Sequence, residues 1–169
     1  DGPLVARIGL SLISVEQARA NLIKEVGDRS YRSVLRLARE RWASQFDKVR
    51  IKASEEVKTI FYTALYHSLL YPRKIDEYGR YYSAFDDAVH NGVMYNCWSM
   101  WDTYRAEHPL LTLVAPEHID DMMQSLVEMF NEGGWLPKWP NPSYTGIMVG
   151  SPAETILAEA WTKGFRGFD

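Results

Sequence analysis

The stretch Ser99-Met100-Trp101-Asp102-Thr103-Tyr104-Arg105 lies in the middle of a chain whose surrounding pattern is helical. Three upstream serines each precede an apolar stripe with helical spacing, as N-cap residues do: Ser14, Ser30 and Ser54. Downstream, Pro116 and Pro152 stand where a helix can begin, and Ser151 with Glu154 has the spacing of a capping box. The pattern therefore predicts about six helices, with the Trp-Asp stretch close to one of their junctions.

Two polar segments rich in aromatic residues interrupt this helical pattern. Residues 73–98 mix tyrosines with turn formers such as Asp86 and Asp87, which favours an irregular loop. The second segment is Trp135-Leu136-Pro137-Lys138-Trp139-Pro140-Asn141-Pro142, whose three prolines exclude a helix. Long loops inside a compact chain are more often functional than plain connectors.

The start of the chain follows a different period. Ile8, Leu10 and Leu12 alternate with small or polar residues, which predicts a strand. The fold class we expect is mainly α: about half of an (α/α)6 toroid, preceded by one β-strand from an upstream β domain. The expected domains are 1–14 as the last strand of that β domain, 15–53 as linker helices and 54–169 as the first part of the toroid.

Composition and charge exclude several function classes. The formal net charge is −3, so the chain lacks the basic surface that nucleic-acid binding needs. No run of about 18 apolar residues occurs, so no membrane span is expected. The single cysteine, Cys97, excludes an intrachain disulfide and has the surroundings of a buried, inert thiol. No acidic loop with calcium spacing occurs, so we expect no metal ligands in this chain.

Five motifs, in register along nearly the whole chain, resemble glycoside hydrolase family 92. They are Ile8-Gly9-Leu10-Ser11-Leu12, Phe61-Tyr62-Thr63-Ala64-Leu65-Tyr66-His67, the Trp101-Asp102-Thr103-Tyr104-Arg105 stretch with His108-Pro109-Leu110, Gly134-Trp135-Leu136-Pro137-Lys138-Trp139, and Met148-Val149-Gly150. One departure is that Ser151-Pro152 stands where the family usually carries a histidine.

This resemblance implies that the upstream β domain is a β-sandwich and that residues 54–169 are the first part of an (α/α)6 barrel catalytic domain. It implies that the whole protein is an inverting exo-α-1,2-mannosidase that trims terminal mannose from N-glycans. It also implies a calcium ion at the sugar hydroxyls, whose ligands are expected outside this chain. The family's catalytic acid and base have no match here, so we assign no catalytic residue and expect this chain alone to be inactive. The other implied partners are a mannose-containing glycan and the remainder of the same protein, packed on the helices. By analogy, the protein is extracytoplasmic, either periplasmic or secreted.

Candidate substrate-binding residues come from the two aromatic segments and the stretch between them. With the resemblance, Trp101, Asp102 and Arg105 are expected to contact the terminal sugar, since an indole face, a carboxylate and a guanidinium suit a hydroxylated ring. The alternative is that Asp102 is an N-cap paired with Arg105.

Three more candidates are Trp135, Trp139 and Asp86. The two tryptophans either bind sugar or form a hydrophobic plug, and Asp86 either binds sugar or simply forms a turn. His108 is expected to be a hydrogen-bonded structural histidine, and His67 a core residue.

Two other functions remain open from sequence. One is a different (α/α)6 glycosidase, trehalase-like or glucosidase-like, because such enzymes carry similar local motifs. The other is a non-catalytic helical interaction module.

Overall fold

A computed structural model describes residues 4–169, and this part of the chain is mainly helical, as expected. The helices are α1 (Val15–Glu25), α2 (Tyr31–Phe46), α3 (Glu55–Ser68), α4 (Met100–Thr103), α5 (Glu107–Val114), α6 (Ile119–Gly133) and α7 (Pro152–Thr162), and a 3₁₀ turn at Pro116–His118 precedes α6. The strands are β1 (Arg73–Lys74), β2 (Arg80–Ser83), β3 (Ala88–Asn91) and β4 (Tyr95–Asn96). No helix formed by the described residues combines the length and apolar character needed to cross a membrane. The toroid geometry stays a prediction.

Serine caps begin the first three helices, as the spacing predicts. The hydroxyls of Ser14, Ser30 and Ser54 each accept the backbone N–H three residues on, at 3.1, 3.3 and 3.4 Å. The capping box predicted at Ser151 is wrong, because that side chain makes no cap hydrogen bond. Helix α7 begins with Pro152 in its first turn, where the missing N–H costs nothing.

The chain divides into two compact units, one up to Lys48 and one from Val49 to Asp169. In the first unit, the described residues before α1 form no strand, which corrects the expectation at Ile8–Leu12. A strand needs a neighbour for its backbone groups. Here the Asn21 side-chain amide instead donates to the Leu10 carbonyl at 2.9 Å. Residues 1–3 of the predicted strand domain lie outside the described residues, and its assignment to an upstream sandwich stays a prediction.

Helix α6 forms the centre of the second unit. Its apolar stripe packs against α7 and β4, and Leu126 and Met129 are fully buried. Gly134 follows in the left-handed region (φ 86°) and ends the helix, as predicted. The stripe is regular because the apolar residues recur at three and four positions, which gives a single inward face.

Residues 73–98 are not the irregular loop that their composition predicts. β1 pairs with β4, and β2 pairs with β3, each pair antiparallel. In β2, Tyr81 and Ser83 are buried while Arg80 is exposed, so the strand period was present between the turn formers. Asp87 has a left-handed backbone (φ 59°) at the β2–β3 turn, a conformation that aspartate tolerates.

The expectation for His67 is corrected: it is exposed on α3, whose one buried residue is Leu65. Pro109 lies within the first turn of α5, where no intrahelical N–H bond is lost.

Candidate functional site

Helix α4 is held against the core by buried side chains at and just before its first residue, so its other residues face outward. Met100 is fully buried, and Trp98 is buried just before the helix with its ring stacked on His108 at 5.4 Å between centroids. Because these two side chains point into the core, Asp102 is exposed and Trp101 is half-buried. The core thus presents the Trp-Asp stretch to solvent.

Arg105 does not pair with Asp102, contrary to the N-cap alternative. Its guanidinium lies over the rings of Trp101 and Tyr104, 4.5 Å from each centroid, and donates to the Trp101 carbonyl at 3.0 Å. The N-cap position of α4 belongs to Ser99, so Asp102 lies inside the helix. Arg105 therefore holds the aromatic rings in place, and the Asp102 carboxylate has a different partner.

That partner is Ser99, which joins the two candidate motifs. The Trp139 indole N–H donates to the Ser99 hydroxyl, and the Ser99 hydroxyl donates to the Asp102 carboxylate. A residue of the proline-rich segment is thereby fixed against the Trp-Asp stretch, 40 positions earlier in sequence. We call this chain of hydrogen bonds the Trp139–Ser99–Asp102 relay.

The proline-rich segment holds its shape through Tyr144. The Tyr144 hydroxyl accepts from the Trp135 N–H at 3.1 Å and donates to the Trp135 carbonyl at 2.6 Å. Thr145 donates to the Trp139 carbonyl at 2.7 Å. These bonds satisfy backbone groups that no helix or sheet satisfies in this segment. The Trp135 side chain is left 76% exposed, so among the described residues it does not act as a hydrophobic plug.

A cleft of about 360 Å³ opens beside the relay. Its size lies in the range of small-molecule sites. One wall follows the helical spacing of Ser99, Thr103 and Glu107; the complete lining is His67, Tyr71, Arg73, Cys97, Ser99, Thr103, Glu107, Trp139 and Asn141. The Thr103 hydroxyl is shielded from solvent and has no hydrogen-bond partner in the described chain, so one polar group at this wall remains to be satisfied.

Trp139 also borders a second cleft, of about 550 Å³, which Trp135 and Lys138 line with it. The predicted sugar-binding residues therefore do not all line the same cleft. Trp139 belongs to both clefts and Trp135 to the second. Trp101, Asp102 and Arg105 line neither cleft, and Asp102 reaches the first through Ser99.

Burial raises the pKa values of two ionisable groups that line the first cleft, Glu107 and Cys97. Burial raises the pKa of the Glu107 carboxyl to about 7, so it both donates and accepts hydrogen bonds near neutral pH. Burial also raises the pKa of the Cys97 thiol, against a smaller opposing effect of Arg73. Cys97 is therefore mainly a neutral thiol rather than a nucleophile.

Three residues of the first cleft are not among the predicted site residues. Ser99 and Glu107 stand within and beside the Trp-Asp motif without a predicted role, and His67, predicted in the core, lines the cleft instead. A polar side chain repeated every four residues from Ser99 was the available signal for this wall.

Asp86 lies apart from both clefts. Its carboxylate contacts the His90 ring at 2.8 Å and accepts the Ala88 N–H at 3.2 Å, across the β2–β3 turn. With Glu132 these two residues make the one group of three potential metal ligands found among the described residues. Calcium prefers six to eight oxygen ligands, so a histidine with two carboxylates does not suit it. The expectation that calcium ligands lie elsewhere stays a prediction.

Comparison with known proteins places the chain in one group. The model of the glycosyl hydrolase family 92 catalytic domain matches residues 17–169. The structure of the family GH92 inverting mannosidase BT2199 from Bacteroides thetaiotaomicron is 38% identical, with a TM-score of 0.90 over 94% of this chain and 22% of that one. The GH92 α-mannosidase BT3965 from the same species is 29% identical, with a TM-score of 0.89 over the same shares, and it is also solved with mannoimidazole. No curated protein matches. The chain spans about a fifth of the length of these structures.

Proposed function

This chain belongs to glycoside hydrolase family 92, and we propose that it supplies the sugar-contacting part of an inverting exo-α-1,2-mannosidase that trims terminal mannose from N-glycans. The observation that carries the proposal is the Trp139–Ser99–Asp102 relay beside the 360 Å³ cleft. The relay brings the two candidate motifs together, so that the Asp102 carboxylate, the Trp139 indole and the unpartnered Thr103 hydroxyl lie close to one cleft.

The chemistry of the relay suits a hydroxylated ligand. A carboxylate accepts hydroxyl protons, and charge-assisted hydrogen bonds are about twice as strong as neutral ones. The single Ser99 hydroxyl proton is directed to Asp102, so Ser99 can offer only a lone pair to an incoming hydroxyl. Glu107, on the same wall, can donate to a sugar oxygen while it is protonated. The Trp139 ring offers an apolar edge or face to the sugar carbons.

We assign no catalytic acid or base to the described residues. Inverting glycosidases place two carboxyl groups about 6.5–9.5 Å apart, one on each side of the scissile bond. The first cleft is lined by one carboxyl group, Glu107. We propose that the acid, the base and the calcium ligands come from other parts of the protein, and no step here depends on the ion.

The exposed face of α3 supports a covering partner. Val57 and Ile60 are 50% and 64% exposed on that helix, and Tyr66 is 36% exposed. Apolar helix faces of this kind are normally packed. We propose that further polypeptide of the same protein covers them. The extracytoplasmic location that family analogy suggests is part of the same proposal.

The binding experiment uses methyl α-mannoside and methyl α-glucoside, which differ at C2, with the Trp139 indole N–H as the NMR reporter. We expect saturable shifts with the mannoside, and about three- to tenfold weaker binding in Asp102→Asn, since Asp102 acts through Ser99, whose charge-assisted hydrogen bond becomes a neutral one of about half the strength. The matched control is the exposed Trp161, whose indole should not respond. Equal response to both sugars, or wild-type affinity in Asp102→Asn, would refute the proposed site.

A separate assay tests the missing acid and base. The protein is incubated with an aryl α-mannoside, and we expect no hydrolysis above the blank. Hydrolysis above the blank would show that the described residues contain the catalytic pair. It would leave the binding result unaffected, so the two parts of the proposal fail independently.

A further inference from the structure

A second ligand-binding centre stands at the junction of the β2–β3 hairpin and the end of α6. Asp86 lies in the hairpin turn, His90 on β3, and Glu132 in the last turn of α6. Each of the three offers one ligand atom, and these atoms all lie within 4.8 Å of one another. Sequence gave no hint of the group, because Glu132 is 42 positions beyond His90.

The buried carboxylate of Glu132 distinguishes this group from an ordinary surface ion pair. The Glu132 side chain is only 6% exposed. One carboxylate oxygen accepts from the Tyr81 hydroxyl, while the other, Oε2, is shielded from solvent and has no hydrogen-bond partner in the described chain. A buried carboxylate oxygen without a partner is costly, and a cation is the partner that satisfies it best.

We propose that Asp86, His90 and Glu132 bind a divalent transition-metal ion of the zinc class, separate from the sugar cleft. The His90 Nε2 atom is 2.8 Å from Asp86 Oδ2 and 3.9 Å from Glu132 Oε1. Two ligand atoms bound to one tetrahedral ion at about 2.0–2.2 Å are about 3.3–3.6 Å apart. The Asp86–His90 spacing is shorter than this range and the His90–Glu132 spacing is longer, so the side chains must adjust before all three bind one ion, with Glu132 contributing Oε1 or, after rotation of its carboxylate, the unpartnered Oε2.

The surrounding contacts resemble the outer shell of a metal site. The Tyr81 hydroxyl orients Glu132, and the Tyr81 ring stacks on His90 at 5.6 Å with an interplanar angle of 27°. The Ala88 N–H holds the second oxygen of Asp86 at 3.2 Å. Such outer partners fix ligand orientation and strengthen metal binding.

The donor set selects the class of ion. One imidazole nitrogen and two carboxylate oxygens suit zinc or a similar first-row metal, with a fourth position for water, and they suit calcium poorly. His90 and Asp86 are each about one-third exposed, which leaves a path for entry. The ion would tie the hairpin to α6 immediately before Gly133 and Gly134, where the segment that contains Trp135 begins.

The test is Zn²⁺ titration of the metal-stripped protein by calorimetry. We expect one equivalent to bind, at least about 100-fold weaker binding in both His90→Gln and Glu132→Gln, and about tenfold weaker binding in Tyr81→Phe. The matched control is His118→Gln, which removes a histidine paired with Glu117 outside the group and should leave the affinity unchanged. Excess Ca²⁺ should not compete.

A second measurement needs no variant to fold. Substoichiometric Co²⁺ should broaden the ring-proton NMR signals of His90 in the unmodified protein and spare those of His118. Absence of one-equivalent Zn²⁺ binding, affinity in His90→Gln within threefold of wild type, or equal broadening of both histidines would overturn the proposal. The sugar-binding result has no bearing on any of these outcomes.

Discussion

Replacement of His108 by glutamine should change the way stability depends on pH. The His108 ring is 3% exposed and stacks on Trp98, and neither ring nitrogen has a well-formed hydrogen bond in the described chain. Burial lowers the pKa of His108 from 6.5 to about 4, against smaller opposing effects of the Thr103 backbone and Glu159. The folded state therefore holds this imidazole neutral where the unfolded chain would protonate it.

The sign and size follow from proton linkage. A depressed histidine pKa gives stability that is present above pH 6.5 and is lost as the pH falls through about 4. At 1.36 kcal/mol per pKa unit, the complete loss is about 3 kcal/mol. By pH 5 the loss is about 2 kcal/mol, because the folded-state imidazole is still mostly neutral there. Glutamine does not titrate, so the variant does not share this loss.

Urea denaturation at pH 7.5 and pH 5.0 measures the effect in wild type, His108→Gln and His118→Gln. Between pH 7.5 and pH 5.0, we expect the free energy of unfolding of His108→Gln to rise by about 2 kcal/mol relative to that of wild type, whatever the replacement costs at pH 7.5. Comparison with wild type cancels the other titrating groups, and the partly exposed His118 controls for loss of an imidazole. A gap between His108→Gln and wild type that stays within about 0.5 kcal/mol across the two pH values would refute the reasoning.

Three further predictions concern stability, each measured by the same denaturation. The folded pKa of Glu107 is raised from 4.5 to about 7, so the stability that its protonated carboxyl contributes is present below pH 4.5 and lost as the pH rises through 7. Between pH 5 and 8, the free energy of unfolding of Glu107→Gln should therefore rise by about 1 kcal/mol relative to wild type, which is less than the full shift gives because Glu107 is partly exposed. Parallel pH curves of the two proteins would contradict this. Leu126→Ala, in the centre of α6, should cost about 2–5 kcal/mol, and a cost below 1 kcal/mol would show that the core is not closed there. Gly133→Ala should cost about 1–3 kcal/mol, since an added Cβ would meet Tyr144 and Phe85 atoms at 2.4–2.9 Å; an unchanged stability would show that these rings move aside freely.

Local signals in the sequence predicted the helices well. Ser14, Ser30 and Ser54 cap helices because an N-cap depends on residues within three positions of each other. The β2–β3 hairpin was missed because its turn formers, Asp86 and Asp87, dominate a segment whose strands are only four residues long. The predicted strand at Ile8–Leu12 failed for a related reason, since alternation alone supplies no neighbouring strand.

Individual residues of the candidate site were predicted from the sequence, but the hydrogen bonds that connect them were not. Trp139 and the Trp-Asp stretch were both named, but the Ser99 bond that joins them depends on how the chain folds back over 40 residues. His108 is a buried structural histidine, as expected, but its ring nitrogens have no well-formed hydrogen bond in the described chain and the ring stacks on Trp98. The buried oxygen of Glu132 could not be anticipated, since its burial is decided by the hairpin packed across it.

The Trp139–Ser99–Asp102 relay couples the order of the proline-rich segment to the affinity for a ligand at Asp102. A ligand that draws Asp102 away from Ser99 frees the proton that completes the chain of bonds, and so loosens the hold on Trp139. Coupling free energies are reciprocal, so a second ligand that bound and ordered the proline-rich segment would change affinity at Asp102 by the same factor by which binding at Asp102 changes affinity for that ligand. Under the proposed function, replacements around Tyr144 that loosen this segment would alter sugar affinity through the relay, although Tyr144 does not line the first cleft.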